Sequence, residues 1–204
     1  MAFGMHWEWR GFGVLSSTLE EKIRALAPLF PDSQVVTDRY LWSPGCSLNF
    51  KLRFGDFKIK RCLEQEEGGV AKWQEDPGEN YSFPLAAGVL GGVVSALGGN
   101  DGDSGEAVET EAELLARAGM AIAGLQVVAV AKERWQYGAP VLEGGIIELA
   151  QISLPEQIIS VSVEHESQEG VREIMEVLGL PGELKSFSYL EALEIWGNGG
   201  TFPG

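Results

Sequence analysis

The sequence predicts an antiparallel α+β domain built around a closed β-barrel whose interior is charged. Three observations carry that expectation. Ionisable residues recur at alternate positions in five separate segments: His6, Glu8 and Arg10; Lys51 and Arg53; Lys58 and Lys60; Lys132 and Arg134; Glu164 and Glu166. A strand sends residues i and i+2 to the same face, so each segment presents an ionic row on one side. The intervening positions are mostly apolar, among them Trp7, Trp9, Leu52, Phe57, Ile59 and Val163. Finally, strand-like segments outnumber helical ones, which favours a mainly antiparallel arrangement. A sheet that merely faced water would have no reason to sort basic strands from acidic ones. A barrel holding a polyanion and a cation would.

The elements follow in order. Met5 to Gly13 alternates and reads as a first strand. Ser16 or Ser17 can cap a helix that carries Glu20 and Glu21 near its start and runs to about Ala27, before Pro28. Ser33 to Trp42 reads as a strand ended by Ser43-Pro44-Gly45. Ser47 to Phe54 and Phe57 to Glu64 read as a hairpin turning at Gly55-Asp56. From Gly68 to Gly105 the chain is rich in glycine and acid and has no clear period. Within it, Ala86 to Leu97 fits a short helix or an apolar loop, and Gly98 to Gly105 reads as a flexible loop. A helix is expected over Ala107 to Ala118, then strands over Leu125 to Gln136, Gly144 to Leu154 and Ile158 to Glu166. Gln168 to Leu178 reads as a helix stopped by Gly179, and Ser188 to Trp196 as a last helix.

With 204 residues and 45% hydrophobic content, the chain can bury a sizeable core. The net charge of −15 argues against a long nucleic acid wrapped on the surface. It does not argue against a small anion in a basic cleft, because charge is unevenly spread. Lys51 to Arg61 holds five basic residues and one acid, whereas Glu64 to Glu113 holds twelve acids and one base, Lys72. Cys46 and Cys62 show no metal or redox spacing and read as free thiols of a reducing compartment. The N-terminus has no apolar signal core, and the uncharged stretch Tyr81 to Asn100 is diluted by glycine and broken by Pro84. A soluble, cytoplasmic protein without membrane contact is expected.

Several familiar motifs fail. In Gly179 to Ser186 the lysine is misplaced for a phosphate-binding loop, and the segment follows a helix rather than a strand. Asp101, Asp103 and Gly105 begin like a calcium loop, but Ala112 stands where a glutamate is required. No serine elbow is present, and only His6 and His165 are available for a histidine triad or zinc site. What remains is the paired basic strands, which can clamp the spread charge of a phosphoryl group. Glu8, Glu164 and Glu166 can hold Mg²⁺ or Mn²⁺, ions that favour oxygen ligands.

Taken in sequence order, these segments resemble the CYTH superfamily, the triphosphate tunnel metalloenzymes. That family includes thiamine triphosphatases, inorganic triphosphatases, class IV adenylyl cyclases and fungal RNA triphosphatases. Its opening ExExK strand is matched by His6-Trp7-Glu8-Trp9-Arg10, and its Asp-x-Tyr strand by Asp38-Arg39-Tyr40. The basic strands are matched by Lys51-Leu52-Arg53, by Phe57-Lys58-Ile59-Lys60 and by Lys132-Glu133-Arg134. The ExE strand is matched by Glu164-His165-Glu166, and the close by Leu178-Gly179-Leu180 and Ser188-Tyr189-Leu190.

The resemblance implies an eight-stranded antiparallel tunnel with flanking helices, formed by residues 1–204 as one domain with a Gly- and acid-rich flexible insertion at about 68–106. It implies metal-dependent hydrolysis of an inorganic or organic triphosphate, with cyclisation of ATP less supported. A non-catalytic module that binds a phosphorylated ligand or a protein partner is the alternative, and a homodimer is left open. The metal ligands would be Glu8, Glu164 and Glu166. Substrate would meet Lys51, Arg53, Lys58, Lys60, Lys132 and Arg134, with Lys185 at the mouth. The catalytic set would be Glu8, Arg10, Lys58, Lys60 and Arg134. Two departures stand out: His6 replaces the first acid of the opening motif, and Gln151 stands where the family often has an acid.

Overall fold

Two strands far apart in the chain close the sheet on itself. The computed structural model describes residues 4–75, 80–100 and 105–202. Its elements are β1 (Met5–Gly13), α1 (Ser17–Arg24), β2 (Gln34–Trp42), β3 (Leu48–Arg53), β4 (Asp56–Gln65), β5 (Ala71–Gln74), β6 (Asn80–Ser82), α2 (Val89–Ala96), α3 (Glu111–Ala121), β7 (Gln126–Gly138), β8 (Ile146–Leu154), β9 (Ile158–His165), α4 (Gln168–Leu178), β10 (Lys185–Ser186) and α5 (Tyr189–Gly197). The sheet runs β1-β5-β4-β3-β2-β7-β8-β9, and β9 pairs back onto β1. Every pairing is antiparallel, so the result is a closed eight-stranded barrel, with β6 added to β4 and β10 to β1. Closure leaves the barrel strands without a free edge.

Helices clad the outer wall. Trp9, Val161 and Val163 point outward and pack with Leu19 and Ile23 of α1 and with Val171, Ile174 and Leu178 of α4. Phe50, Leu52, Phe57 and Ile59 do the same against Leu90, Val93 and Val94 of α2 and Leu114 of α3. Phe50 and Phe57 are almost wholly buried, and full burial of such a side chain contributes about 1.5–3 kcal/mol. A third cluster differs. Phe12, Tyr40, Val130 and Ile152 lie on the inner face, and they meet Tyr189, Leu193 and Trp196, so α5 packs over one end of the barrel. None of the described helices is long and apolar enough to cross a membrane.

Local sequence explains the helix ends. Ser16, Thr110, Ser167 and Ser188 cap α1, α3, α4 and α5 by accepting backbone N–H bonds, and Glu191 completes a capping box. Gly179 ends α4 in the left-handed region at φ 82°. Helix α1 stops at Arg24, short of the expected Ala27, because Ala27 and Pro28 are drawn into pairing with β7: Gly138 donates to the Ala27 carbonyl at 2.9 Å. Helix α3 starts four residues later than expected, since Val108 bridges Leu85 and Thr110 serves as the cap.

Two further expectations are corrected, and one ambiguity is resolved. The β3–β4 turn is Phe54-Gly55 rather than Gly55-Asp56, with Arg53 opposite Asp56. Both turn residues have positive φ, 53° and 84°, which is the geometry that suits the twist of a two-residue hairpin. The apparently aperiodic stretch after Gly68 contains a barrel strand, β5, which joins β4 to β1. Four residues, Ala-Lys-Trp-Gln, are too few to display alternation. The stretch also supplies α2, resolving the helix-or-loop ambiguity over Ala86 to Leu97. Residues 101–104 of the expected flexible loop lie outside the described residues.

The α5 end of the barrel has no room to spare. A Cβ added at Gly197 would collide with the Trp42 ring, and such overpacking costs about 1–3 kcal/mol. Gly197→Ala is expected to lower the urea unfolding free energy by that amount, whereas Gly119→Ala, in open space on α3, is expected to hold or raise it.

Candidate active site

Strand alternation delivers the charged rows to a common interior. On β1, His6, Glu8 and Arg10 share the inner face; Trp7 and Trp9 take the outer one. Lys51 and Arg53 come from β3, Lys58 and Lys60 from β4, Lys132 and Arg134 from β7, and Glu164 from β9. Asp38 of β2 and Glu148 of β8 join them. Among the described residues, seven basic side chains therefore face these four carboxylates, a basic excess inside an acidic chain, with Glu75 just past β5 standing 3.6 Å from Lys60.

Most of these charges are compensated in place. Glu148 lies 2.9 Å from Arg134 and 3.6 Å from both Arg10 and Lys132. Burial alone would raise its carboxyl, but Lys132, Arg10 and Arg134 together hold it far below the ordinary carboxylate range. Asp38, fully buried, receives both Arg53 nitrogens at 2.5 Å and has Lys132 at 3.7 Å. Its carboxyl is lowered too: burial opposes, while the Arg53 bonds and the Lys51 and Lys132 charges prevail. Glu8 accepts from Arg10 at 3.0 Å on one oxygen and from Lys60 at 2.6 Å on the other. Against burial, Lys60 and Arg10 pull it well down. Arg10 also donates to Ser160 at 3.0 Å and lies over the Tyr189 ring, 4.7 Å from its centroid. Lys132 donates to the Tyr189 hydroxyl at 3.1 Å.

Two lysines are left over. Lys51 and Lys58 sit directly opposite one another on β3 and β4, and among the described residues neither makes an ion pair. Like charges directly opposite in a sheet destabilise it. Burial, together with the nearby Arg53, pushes the Lys51 ammonium down to about 7. An anion between these two side chains would relieve both costs.

The acidic wall lies across the ring from them. Glu8 pairs with Glu164 across β1–β9, and burial together with the Glu8 charge raises the Glu164 carboxyl. Donor atoms of His6, Glu8 and Glu164 all lie within 4.8 Å of one another. His6 Nε2 is buried with no hydrogen-bond partner, 3.7 Å from Glu8. Ser162, fully buried on the same face of β9 as Glu164, also has an unpartnered hydroxyl. One imidazole and two carboxylates with orphaned polar atoms beside them fit a divalent cation.

Not every expected residue reaches this interior. Glu166 lies one residue beyond β9 and is exposed, outside the cluster, because the strand ends at His165. Lys185 is exposed on β10, where it pairs with Phe12 at the α5 end of the barrel. Gln151 is exposed on the outer face of β8; the inward acid is Glu148, three residues earlier, the one charged residue between Ile146 and Ile152, to which the resemblance assigned no role. Asp38 and Tyr189 were likewise quoted only as motif letters. For Glu148 the available signal was a lone acid in an otherwise apolar strand, a position tolerated only with partners.

Glu148 is the hub of this network. Glu148→Gln strips one buried carboxylate from three cations and is expected to cost about 3–5 kcal/mol near neutral pH. The sign with pH follows from the depressed carboxyls of Glu8, Asp38 and Glu148. Below the unfolded-state values of about 4 the unfolded chain binds more protons, so stability falls as pH falls. Glu164 acts in the opposite sense. Urea midpoints should therefore drop between about pH 5 and pH 3, and the gap between wild type and Glu148→Gln should narrow there.

No family model matches the sequence, and no curated protein matches it significantly. Solved structures do match. HpAC1 from Hippeastrum, a candidate adenylyl cyclase described as having a dominant triphosphatase activity, aligns with TM-score 0.56 and 17% identity over 97% of this chain and 98% of its own. The PH1012 protein from Pyrococcus horikoshii aligns with TM-score 0.53 and 18% identity, over 91% and 98%. A conserved hypothetical protein from Pyrococcus furiosus aligns with TM-score 0.51 and 18% identity, also over 91% and 98%. These likenesses show the fold alone: a closed eight-stranded antiparallel barrel with flanking helices, the architecture that the resemblance in the sequence implied.

Proposed function

We propose that this chain is a divalent-metal-dependent phosphohydrolase that takes the triphosphate group of an inorganic or organic substrate into its barrel. The observation that supports this most is the opposed Lys51 and Lys58, neither of them ion-paired among the described residues, with a wall that carries His6, Glu8 and Glu164 across the barrel. The triphosphatase activity described for the Hippeastrum protein agrees with it.

In this reading Glu8, Glu164 and His6 would hold the ion, Mg²⁺ or Mn²⁺ in the first instance. When bound, it would supply Lewis-acid polarisation and a more acidic water. The protein does the rest. Lys51, Lys58 and Lys60 offer mobile point charges to the non-bridging oxygens, and Arg53 and Arg134 offer planar forks. Arg10 and Lys132 orient the wall by holding Glu8, Glu148 and Tyr189. Phosphoryl transfer spreads charge over several oxygens, so fixed cations at several points lower the barrier without a protein nucleophile. The same reading treats residues 1–204 as one cytoplasmic domain, with β5 as the part of the 68–106 stretch that belongs to the barrel. A binding module without catalysis is the second reading. It is favoured by one observation: both Glu8 oxygens are already engaged, by Arg10 and Lys60.

Phosphate release from tripolyphosphate, ATP and thiamine triphosphate separates the two. Hydrolysis that needs Mg²⁺ or Mn²⁺ and stops with chelator is expected; tripolyphosphate binding without release supports the second reading. Lys58→Ala and Arg134→Ala should each weaken tripolyphosphate binding by roughly tenfold or more, the worth of a charged hydrogen bond. Unchanged binding in both would overturn both readings.

Lys51 adds a pH signature. With its ammonium held at about 7, a bound anion draws a proton onto Nζ, so its help weakens as pH rises through that value. Calorimetry in buffers of different ionisation enthalpy should show proton uptake by wild type near pH 7.5, about half a proton or more, and less by Lys51→Arg, whose guanidinium stays charged.

A further inference from the structure

The donor set on the acidic wall is not all oxygen. His6, Glu8 and Glu164 place one nitrogen and two carboxylate oxygens within 4.8 Å of one another. Position 6 is fixed by backbone pairing: His6 lies opposite Trp73 on β5, and two residues on, Glu8 lies opposite both Ala71 and Glu164. The ring therefore cannot turn outward without breaking the alternation of β1. At 3.7 Å His6 Nε2 is within ion-pair range of Glu8 but beyond hydrogen-bond length, and among the described residues it has no hydrogen-bond partner. A buried polar atom left unmade costs free energy unless something meets it.

Resting on the reading that a dication serves this tunnel, we infer that His6 turns the site into a mixed nitrogen–oxygen centre selective for a borderline transition ion, of the Co²⁺ or Zn²⁺ class, over Mg²⁺. Charge and ligand softness point the same way. Mg²⁺ is hard, takes oxygen ligands and leans on carboxylate charge. Among the described residues the cluster itself holds two carboxylates; Arg10 and Lys60 already draw on one of them, and Glu75, the next acid, is engaged by Lys60 at 3.6 Å. Imidazole contributes no charge, but it binds Co²⁺ and Zn²⁺ well. The site thus loses most of what attracts Mg²⁺ and keeps what attracts a transition ion. The unpartnered Ser162 hydroxyl on the same face of β9 offers a further neutral oxygen, to the ion's water rather than as added charge.

Co²⁺ is the probe, because its visible absorption reports its ligands without any turnover. Metal-free full-length protein is titrated with Co²⁺ alone and, by calorimetry, with Mg²⁺ alone. Wild type should bind Co²⁺ at least about 100-fold more tightly than Mg²⁺, following the affinity order of divalent ions at nitrogen-containing sites. His6→Ala should lose about tenfold or more of Co²⁺ affinity and shift the spectrum, while Mg²⁺ affinity stays within about twofold. His6→Glu should narrow the Co²⁺/Mg²⁺ ratio by about tenfold or more by adding a carboxylate. Urea midpoints show that the variants fold. Equal Co²⁺ and Mg²⁺ affinity in wild type, no Co²⁺ binding, or a His6→Ala protein with wild-type Co²⁺ affinity and spectrum overturns the inference. Tripolyphosphate binding measured without metal on the same proteins keeps the two questions apart: its absence in wild type removes the tunnel reading, whereas its persistence beside unselective metal binding removes only the role of His6.

Discussion

Charge compensation across the barrel lumen is the constraint on which the rest of the structure depends. Taking an ion out of water costs several kcal/mol even after relaxation. Seven cations and four carboxylates can share one lumen only if most are paired and hydrogen-bonded, and they are. The pairs cross strands that are distant in the chain. Glu148 on β8 holds cations from β1 and β7, and Asp38 on β2 holds cations from β3 and β7. Barrel closure and charge pairing thus require each other: a barrel in a different register would strand a buried charge.

The outer surface solves the other half of the problem. Alternation sends the apolar residues of the same strands outward, where helices α1 to α4 cover them. The stabilising apolar contacts therefore lie outside the wall rather than at its centre. This arrangement lets the lumen stay ionic without sacrificing burial, since Phe50, Phe57, Leu149 and Val163 are almost wholly shielded by helices and neighbouring strands. At the α5 end the logic changes, and aromatic stacking of Phe12, Tyr40, Tyr189, Trp196 and Phe202 replaces ion pairs.

How much of this was legible in the sequence depends on how long each periodic stretch is. Strands of nine or more residues, such as β1 and β7, declare themselves by alternation, and their inner rows can be read directly. Strand β5 cannot, because four residues hold too little pattern. The basic half of the site was visible because its charges come in pairs two apart. Its acidic partners were not: Asp38 and Glu148 are single residues on their inner faces, and a single acid looks like any other. Glu166 shows the converse limit. It keeps the period of two, but the strand ends at His165, and beyond a strand end spacing no longer fixes direction.

The opposed lysines of the β3–β4 hairpin have a practical corollary. Under the proposed function, a pocket that holds positive charge in reserve would welcome whatever small oxyanion the surroundings provide. Sulfate or phosphate carried over from purification would occupy it, firm up the fold by mass action, and hide a weak natural guest behind a stronger laboratory one. For this molecule the choice of buffer is part of the biochemistry.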